Sequence, residues 1–110
     1  MNNQIKDKLT KMFNLVKYIQ YQQEAVVSRE IVRKPTGTVT LFAFDKDQGL
    51  SEHTAAYDAL VYLIDGKAEV IIAGELFKLQ QNEAIIIPAG KSHSLKAIER
   101  FKMVLIMIRS

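Results

Sequence analysis

The chain has 110 residues and a formal net charge of +3, with 48% hydrophobic residues, 25% charged residues and no cysteine. This composition is typical of a folded globular domain with one core, and it excludes a disordered chain, disulfide bonds and thiolate metal ligands. Its basic residues form no cluster interleaved with aromatics and no apolar run could span a membrane, so we expect a cytoplasmic protein that binds neither nucleic acid nor membranes.

The first segment, residues 1–24, has the pattern of an amphipathic helix. Its apolar residues recur at spacings of three and four, and they are Ile5, Leu9, Met12, Phe13, Val16 and Ile19. We therefore predict a short N-terminal helix that packs on a single β-domain formed by residues 25–110.

From residue 25 onward apolar residues alternate with polar ones and β-branched and aromatic residues predominate, which predicts strands. The predicted strands cover residues 25–32, 37–44, 59–64, 68–73, 75–79, 83–88, 93–98 and 101–108. Asp65-Gly66, between two apolar runs, predicts a hairpin turn. Short strands at this spacing favour an all-β antiparallel sandwich or barrel, of which the jelly roll is one form.

The last predicted strand, residues 101–108, is apolar without interruption from Met103 to Ile108. A strand of this kind is covered on both faces. One cover is the core, and a second subunit would supply the other, so we expect a homodimer.

The chain contains two histidines, His53 and His93, and each lies at a strand edge next to turn residues. Side chains in such positions can converge at the mouth of a barrel. His93 follows Pro88 and Gly90, and this turn orients what comes after it, because proline restricts φ and glycine permits a tight backbone path.

The stretch around His93 resembles the second motif of the cupin family, in which a Pro-x-Gly turn precedes a histidine. Pro88, Gly90 and His93 match that motif, whereas Asn82 and Ala97 replace its first glycine and its asparagine.

The first cupin motif, which has two histidines, a glutamate and a glycine, aligns with residues 53–66. His53 and Gly66 match it, whereas Ala55 replaces the second histidine and Ala59 replaces the glutamate. The two motifs together extend the resemblance over roughly residues 37–108.

The resemblance implies a double-stranded β-helix or jelly-roll barrel, often dimeric, with an interior pocket. In many cupins three histidines and a glutamate hold a metal ion there. Carried over residue by residue, His53 and His93 are the candidate ligands of a divalent transition metal. With Ala55 and Ala59 they are also the candidate ligand-binding residues.

Two imidazoles supply only part of the coordination shell of a divalent transition metal, so a metal site here requires a third ligand nearby. Asp58 and Glu52 are the candidates, together with Tyr57. The alternation of side chains along a strand points Asp58 away from the barrel unless a β-bulge intervenes. No organic cofactor is predicted, since the sequence has no phosphate-binding glycine loop.

Three functions fit these observations. The first is a barrel that binds a small organic molecule against His53 and His93, with catalysis left open. The second is a metal-dependent isomerase or dioxygenase with a rearranged metal site. The third is a structural or regulatory homodimer with a filled barrel, in which an exposed strand face is the functional surface.

Overall fold

Antiparallel β-strands make up the fold in a computed structural model that describes residues 10–109. The strands are β1 (Val26–Lys34), β2 (Gly37–Phe44), β3 (Gly49–His53), β4 (Asp58–Ile72), β5 (Glu75–Gln80), β6 (Ala84–Ile87), β7 (His93–Lys96) and β8 (Phe101–Ile108). The all-β prediction is thereby confirmed. No helix in residues 10–109 is long and apolar enough to cross a membrane.

Strand β4 belongs to two sheets and joins them. Its first half pairs with β6 and β8, and β8 leads through β2 to β1, which completes the first sheet. Its second half pairs with β5 and β7, and β7 pairs with β3, which completes the second sheet. The inward faces of both sheets meet around one core, so the chain forms the jelly-roll barrel that the sequence predicts.

The core between the sheets contains an aromatic stack where β8 begins. Phe44 and Phe101 are fully buried, and their ring centroids are 4.4 Å apart. Aliphatic side chains from both sheets surround them, among them Leu63, Val70 and Leu79. Residues on the opposite parity of the first sheet form a separate apolar layer on its outer face.

The predicted hairpin at Asp65-Gly66 is wrong, because β4 runs without interruption through both residues. Gly66 has a φ of 79°, which suits a turn. The register with β8 shifts just after Leu63, however, so this backbone conformation belongs to a β-bulge within the strand. The chain reverses instead at Ala73 and Gly74, whose φ values of 48° and 84° suit a two-residue hairpin turn. The predicted strands 59–64 and 68–73 are therefore one strand, and β3 is a strand that the sequence pattern does not predict.

Residues 10–24 contain turns and bends on the outside of the first sheet, and the predicted helix is not seen in this part of the chain. Ile5 and Leu9, which belong to the same prediction, lie outside the described residues. The carbonyl oxygen of Val16 accepts a hydrogen bond from Lys102 Nζ at 2.6 Å, and Ile19 is buried against the sheet. Contacts with the sheet therefore replace those that a helix would make within itself.

Tyr21 anchors this N-terminal segment to the barrel. Its hydroxyl donates a hydrogen bond to Asp65 Oδ2 at 2.8 Å, and the guanidinium of Arg100 lies 4.4 Å from the centroid of its ring. Burial, together with the hydrogen bond to Asp65, raises the pKa of the Tyr21 hydroxyl well above its usual value. The hydroxyl therefore stays protonated and keeps donating over the whole neutral range.

Candidate functional site

The two histidines face each other across neighbouring strands. His53 ends β3, His93 begins β7, and the two residues are partners in the antiparallel register. Their ring centroids are 4.3 Å apart with an angle of 60° between the ring planes. His93 is 8% exposed and His53 is exposed, so the pair extends from the barrel interior to the surface.

Each imidazole is oriented by a carbonyl two residues earlier in the chain. His53 Nδ1 lies 2.7 Å from the oxygen of Ser51, and His93 Nδ1 lies 3.0 Å from the oxygen of Lys91. Because a carbonyl oxygen only accepts hydrogen bonds, both Nδ1 atoms are donors. In the neutral rings Nε2 then carries the free lone pair, and it is the atom available to a ligand or a metal.

The turn before His93 is anchored by residues that precede or begin β4. Asp58 Oδ1 accepts a hydrogen bond from the backbone N–H of Ala89 at 2.8 Å, and the N–H of Gly90 donates to the carbonyl of Ala55 at 2.9 Å. Gly90 has a φ of 80°, a conformation that suits glycine. These bonds fix where β7 starts and therefore where the imidazole of His93 lies.

A cavity of about 50 Å³ lies beside the two histidines. The lining residues, mostly apolar, are Leu50, His53, Ala55, Tyr57, Ala59, Val61, Ile87, His93, Leu95, Met103, Leu105 and Met107. The structure thus brings together all four predicted ligand-binding residues. The volume holds about four water molecules, so an occupant of this barrel cavity has only a few non-hydrogen atoms.

Of the predicted third metal ligands, Tyr57 lines the barrel cavity with the two histidines, whereas Asp58 and Glu52 do not join them. Asp58 is engaged with the turn before His93, and neither Asp58 nor Glu52 lines the barrel cavity. Among residues 10–109 no three histidine or acidic side chains are grouped closely enough to hold a metal ion. The described residues therefore do not fit the divalent ion that three histidines and a carboxylate would bind, and the predicted divalent metal stays a prediction.

The cavity-wall residues that sequence reasoning missed include two methionines, Met103 and Met107. Both lie on the inward face of β8, and Met107 is the register partner of Ala59. The alternation of Phe101, Met103 and Met107 on one parity of β8 could have placed both methionines inside the barrel. Only the pairing of β8 with β4 places Met107 next to the position at which a cupin has its glutamate.

Two larger recesses, of about 330 and 370 Å³, lie on the outer side of the second sheet. Lys67, Glu69 and Lys78 are among the residues that line the first, and Glu69 and Lys96 contribute to the second. Both recesses are open grooves with charged side chains at their edges. Neither brings polar groups together in an enclosed apolar space, so the barrel cavity is the better candidate site.

Comparisons with known proteins agree on one family. The sequence model of a family described as Cupin domain matches residues 40–109. A solved structure of a conserved protein of unknown function from Streptococcus pyogenes is 31% identical, with a TM-score of 0.87 over 91% of this chain and 88% of that chain. A cupin 2 conserved barrel domain protein from Leptotrichia buccalis is 35% identical, with a TM-score of 0.86 over 88% of this chain and 47% of that chain.

An enzyme is among the more distant structures. A salicylate 1,2-dioxygenase from Pseudoaminobacter salicylatoxidans is 16% identical, with a TM-score of 0.71 over 76% of this chain and 26% of that chain. At this identity the likeness concerns the fold alone. The comparison with curated proteins finds no match.

Proposed function

The chain belongs to the cupin domain family, and on this premise we propose that it is a binding protein whose barrel holds a small organic molecule against His53 and His93. The observation that carries the proposal is the pair of imidazoles, with ring centroids 4.3 Å apart, in the wall of a mostly apolar cavity. Few polar groups in an apolar enclosure are typical of a ligand site, because the walls supply burial and the polar groups supply orientation.

The chemistry of the ligand follows from the tautomers. With both Nδ1 atoms donating to carbonyls, each neutral ring offers Nε2 as a hydrogen-bond acceptor. A ligand with a hydroxyl or N–H group on a short apolar body satisfies these acceptors and fills the cavity. The exposed edge of His53 marks where such a molecule enters.

A screen of small alcohols, amides and amines by thermal unfolding, on protein treated with a chelator, tests this proposal. A ligand at about 100 times its Kd adds about 2.7 kcal/mol to the free energy of unfolding, which raises Tm on the order of 10 °C. We expect this shift to disappear in His53→Gln and His93→Gln. Ser94→Ala is the matched control, because Ser94 neighbours His93 on β7 and does not line the barrel cavity. The proposal is wrong if no compound shifts Tm, or if the shift survives both histidine variants.

A second candidate function, the structural or regulatory homodimer, is favoured by the outer face of the first sheet. Ile86, Leu60, Ile106 and Val39 are consecutive register partners across β6, β4, β8 and β2, and they form an apolar row. Ile86 is 65% exposed, and so this row has an uncovered end. A second copy of the chain that presents the same row would bury it symmetrically.

The oligomeric state of the protein in solution tests this second candidate. We expect Ile86→Lys to convert a dimer into a monomer in analytical ultracentrifugation, because a charge within an apolar interface is left unpaired. Ile71→Lys is the control, since Ile71 is 41% exposed on the other sheet. A monomeric wild-type protein, or equal dissociation in both variants, would contradict the homodimer.

A further inference from the structure

An arginine lies beside the tyrosine that lines the barrel cavity. Tyr57 contributes to the cavity wall together with His53 and His93. The guanidinium carbon of Arg109 lies 5.9 Å from the centroid of the Tyr57 ring. Arg109 itself is exposed and is not part of the cavity wall. Tyr57 thus connects the enclosed space with a cation just outside it.

The position of Arg109 follows from the alternation of side chains along β8. Met103, Leu105 and Met107 line the cavity. Arg109 is the next residue of the same parity, one position past the end of the strand, and therefore faces the same side. Its backbone N–H donates a hydrogen bond to the carbonyl of Thr36 at 2.7 Å, which continues the pairing of β8 with β2 by one residue. Two residues of a strand span about 7 Å, so Arg109 lies about that far beyond Met107.

A second arginine on this side of the sheet is already engaged. Arg33 is the register partner of Thr38, which in turn pairs with Met107, so all three share one face. Arg33 Nε lies 2.9 Å from Glu30 Oε1. Among the described residues, no carboxylate forms an ion pair with the guanidinium of Arg109. Arg109 is therefore the cation at this end of the cavity that is available to an acidic ligand.

The cavity and the arginine together fit a molecule with two different polar ends. The cavity volume of about 50 Å³ holds about four non-hydrogen atoms. The Nε2 atoms of the histidine pair accept a hydrogen bond from a hydroxyl group. A guanidinium presents a planar fork of N–H donors that binds a carboxylate through two parallel hydrogen bonds. A hydroxyl group and a carboxylate, joined by a short aliphatic chain, satisfy all of these features.

We propose that the ligand of the barrel cavity is a short aliphatic hydroxy acid, whose carboxylate binds Arg109 while its hydroxyl group meets the histidine pair. The aliphatic chain fills the cavity and packs against Tyr57. This inference rests on the proposed function, since it specifies the chemical class of the molecule that the cavity binds. Arg109 is the residue that selects an acid over a neutral molecule of the same shape.

Calorimetric titration with two matched probes, 4-hydroxybutyrate and 4-hydroxybutanamide, tests the role of Arg109. The probes differ only in their carboxylate and carboxamide groups, and both offer the cavity a hydroxyl group on three methylene groups. We expect the wild type to bind the acid about tenfold or more tightly than the amide, because only the carboxylate makes charge-assisted hydrogen bonds to the guanidinium. In Arg109→Gln this preference should disappear, while the affinity for the amide stays the same.

Arg100→Gln is the matched control. Arg100 immediately precedes β8, just as Arg109 immediately follows it, and the Arg100 guanidinium also lies near a tyrosine ring, 4.4 Å from the centroid of Tyr21. Tyr21 belongs to the segment on the outside of the first sheet. Arg100→Gln therefore removes the same charge from the chain at a place away from the barrel cavity, and it should keep the preference for the acid.

The titrations distinguish a wrong ligand class from a wrong proposed function. Equal affinities for acid and amide in the wild type would overturn the role of Arg109, and so would a preference that survives in Arg109→Gln or is lost equally in Arg100→Gln. If neither probe binds while a small alcohol stabilises the chelator-treated protein, the hydroxy acid is wrong and the binding of a small organic molecule stands. If no compound binds at all, both proposals are wrong.

Discussion

The carboxylate of Asp58, at the start of β4, accepts a hydrogen bond from the backbone N–H of Ala89 at 2.8 Å. Ala89 lies in the turn between β6 and β7, immediately before the strand that carries His93. Asp58 is thus one position from Ala59 in the sequence, yet it serves the outside of the barrel while Ala59 lines the cavity. The alternation of side chains along β4 separates the two roles.

Asp58→Ala should lower the free energy of unfolding by about 1 kcal/mol, because the N–H of Ala89 loses its acceptor. Asp58→Asn keeps an oxygen in the same place and should lose clearly less. Urea unfolding of the three proteins measures this difference. A drop in metal affinity in Asp58→Asn without a loss of stability would show that Asp58 is a metal ligand after all.

Restoring the missing residues of the first cupin motif should create a divalent metal site. The double variant Ala55→His with Ala59→Glu adds an imidazole and a carboxylate to a cavity that already holds two imidazoles. We expect Zn(II) and Ni(II) to bind at least about 100-fold more tightly than to the wild type, while the metal-free variant is less stable because it buries a carboxylate. Calorimetric titration measures the affinities.

The control for this gain is Ala56→His, which adds an imidazole at an exposed position outside the barrel cavity. It should leave the affinity for both ions at the wild-type level. If the double variant binds no more tightly than this control, the cavity walls do not have the geometry that we assign to them.

Tyr21 should make stability fall at alkaline pH. Burial, reinforced by its hydrogen bond to Asp65, raises the pKa of its hydroxyl above the value of 10.0 expected in the unfolded chain. The stabilisation is complete below pH 10 and is lost as pH rises further, because the unfolded chain then releases a proton that the folded protein retains. Tyr21→Phe cannot release that proton.

Urea unfolding between pH 8 and pH 11 tests whether Tyr21 makes the free energy of unfolding fall as pH rises. We expect Tyr21→Phe to be about 1 kcal/mol less stable at pH 8, where it lacks the hydrogen bond. Its stability should then decline less steeply with pH than that of the wild type. Parallel curves for the two proteins would show that Tyr21 is not the titrating group.

Gly66 and Gly74 both have positive φ, at 79° and 84°, but their surroundings differ. A Cβ at Gly66 would collide with the carbonyl oxygen of Arg100 and lie 2.8 Å from the Cα of Phe101, whereas a Cβ at Gly74 would meet nothing within 4 Å. Gly74→Ala should therefore cost about 1 kcal/mol of stability for its backbone conformation alone. Gly66→Ala should cost roughly 3 kcal/mol or more, since rigid backbone must also move.

Denaturant midpoints of the two glycine variants measure the contrast directly. Equal losses would mean that the close approach of β4 and β8 at the bulge is relaxed in solution. A larger loss in Gly74→Ala would contradict the placement of the chain reversal at the turn into β5.

Local signals in the sequence were sufficient to predict much of the barrel. Alternating apolar residues predicted most of the strands, and the turn at Pro88 and Gly90 correctly placed His93 at the start of one. The alignment with the first cupin motif placed Ala55 and Ala59 beside the histidines, and the structure has both residues lining the cavity. These features depend on neighbours within a few residues, which is the range over which backbone preferences act.

The tertiary structure decided the rest. Asp65-Gly66 has the composition of a hairpin turn, but pairing with β8 makes it a bulge inside one long strand. Part of residues 10–24 has the apolar periodicity of a helix, but contacts with the first sheet hold this segment in turns and bends instead. In both places long-range contacts outweighed a local preference, because such a preference is worth little compared with side-chain packing.

The sequence by itself therefore determined that the chain is a β-barrel with two histidines next to turns, one of them at the start of a strand. Only the tertiary structure decided that these histidines face each other, that Asp58 holds a turn, and that Met107 lies beside Ala59. The physical reason is register. Which residues of distant strands become neighbours depends on the pairing of whole strands, and a shift by one residue would exchange the inner and outer faces of each.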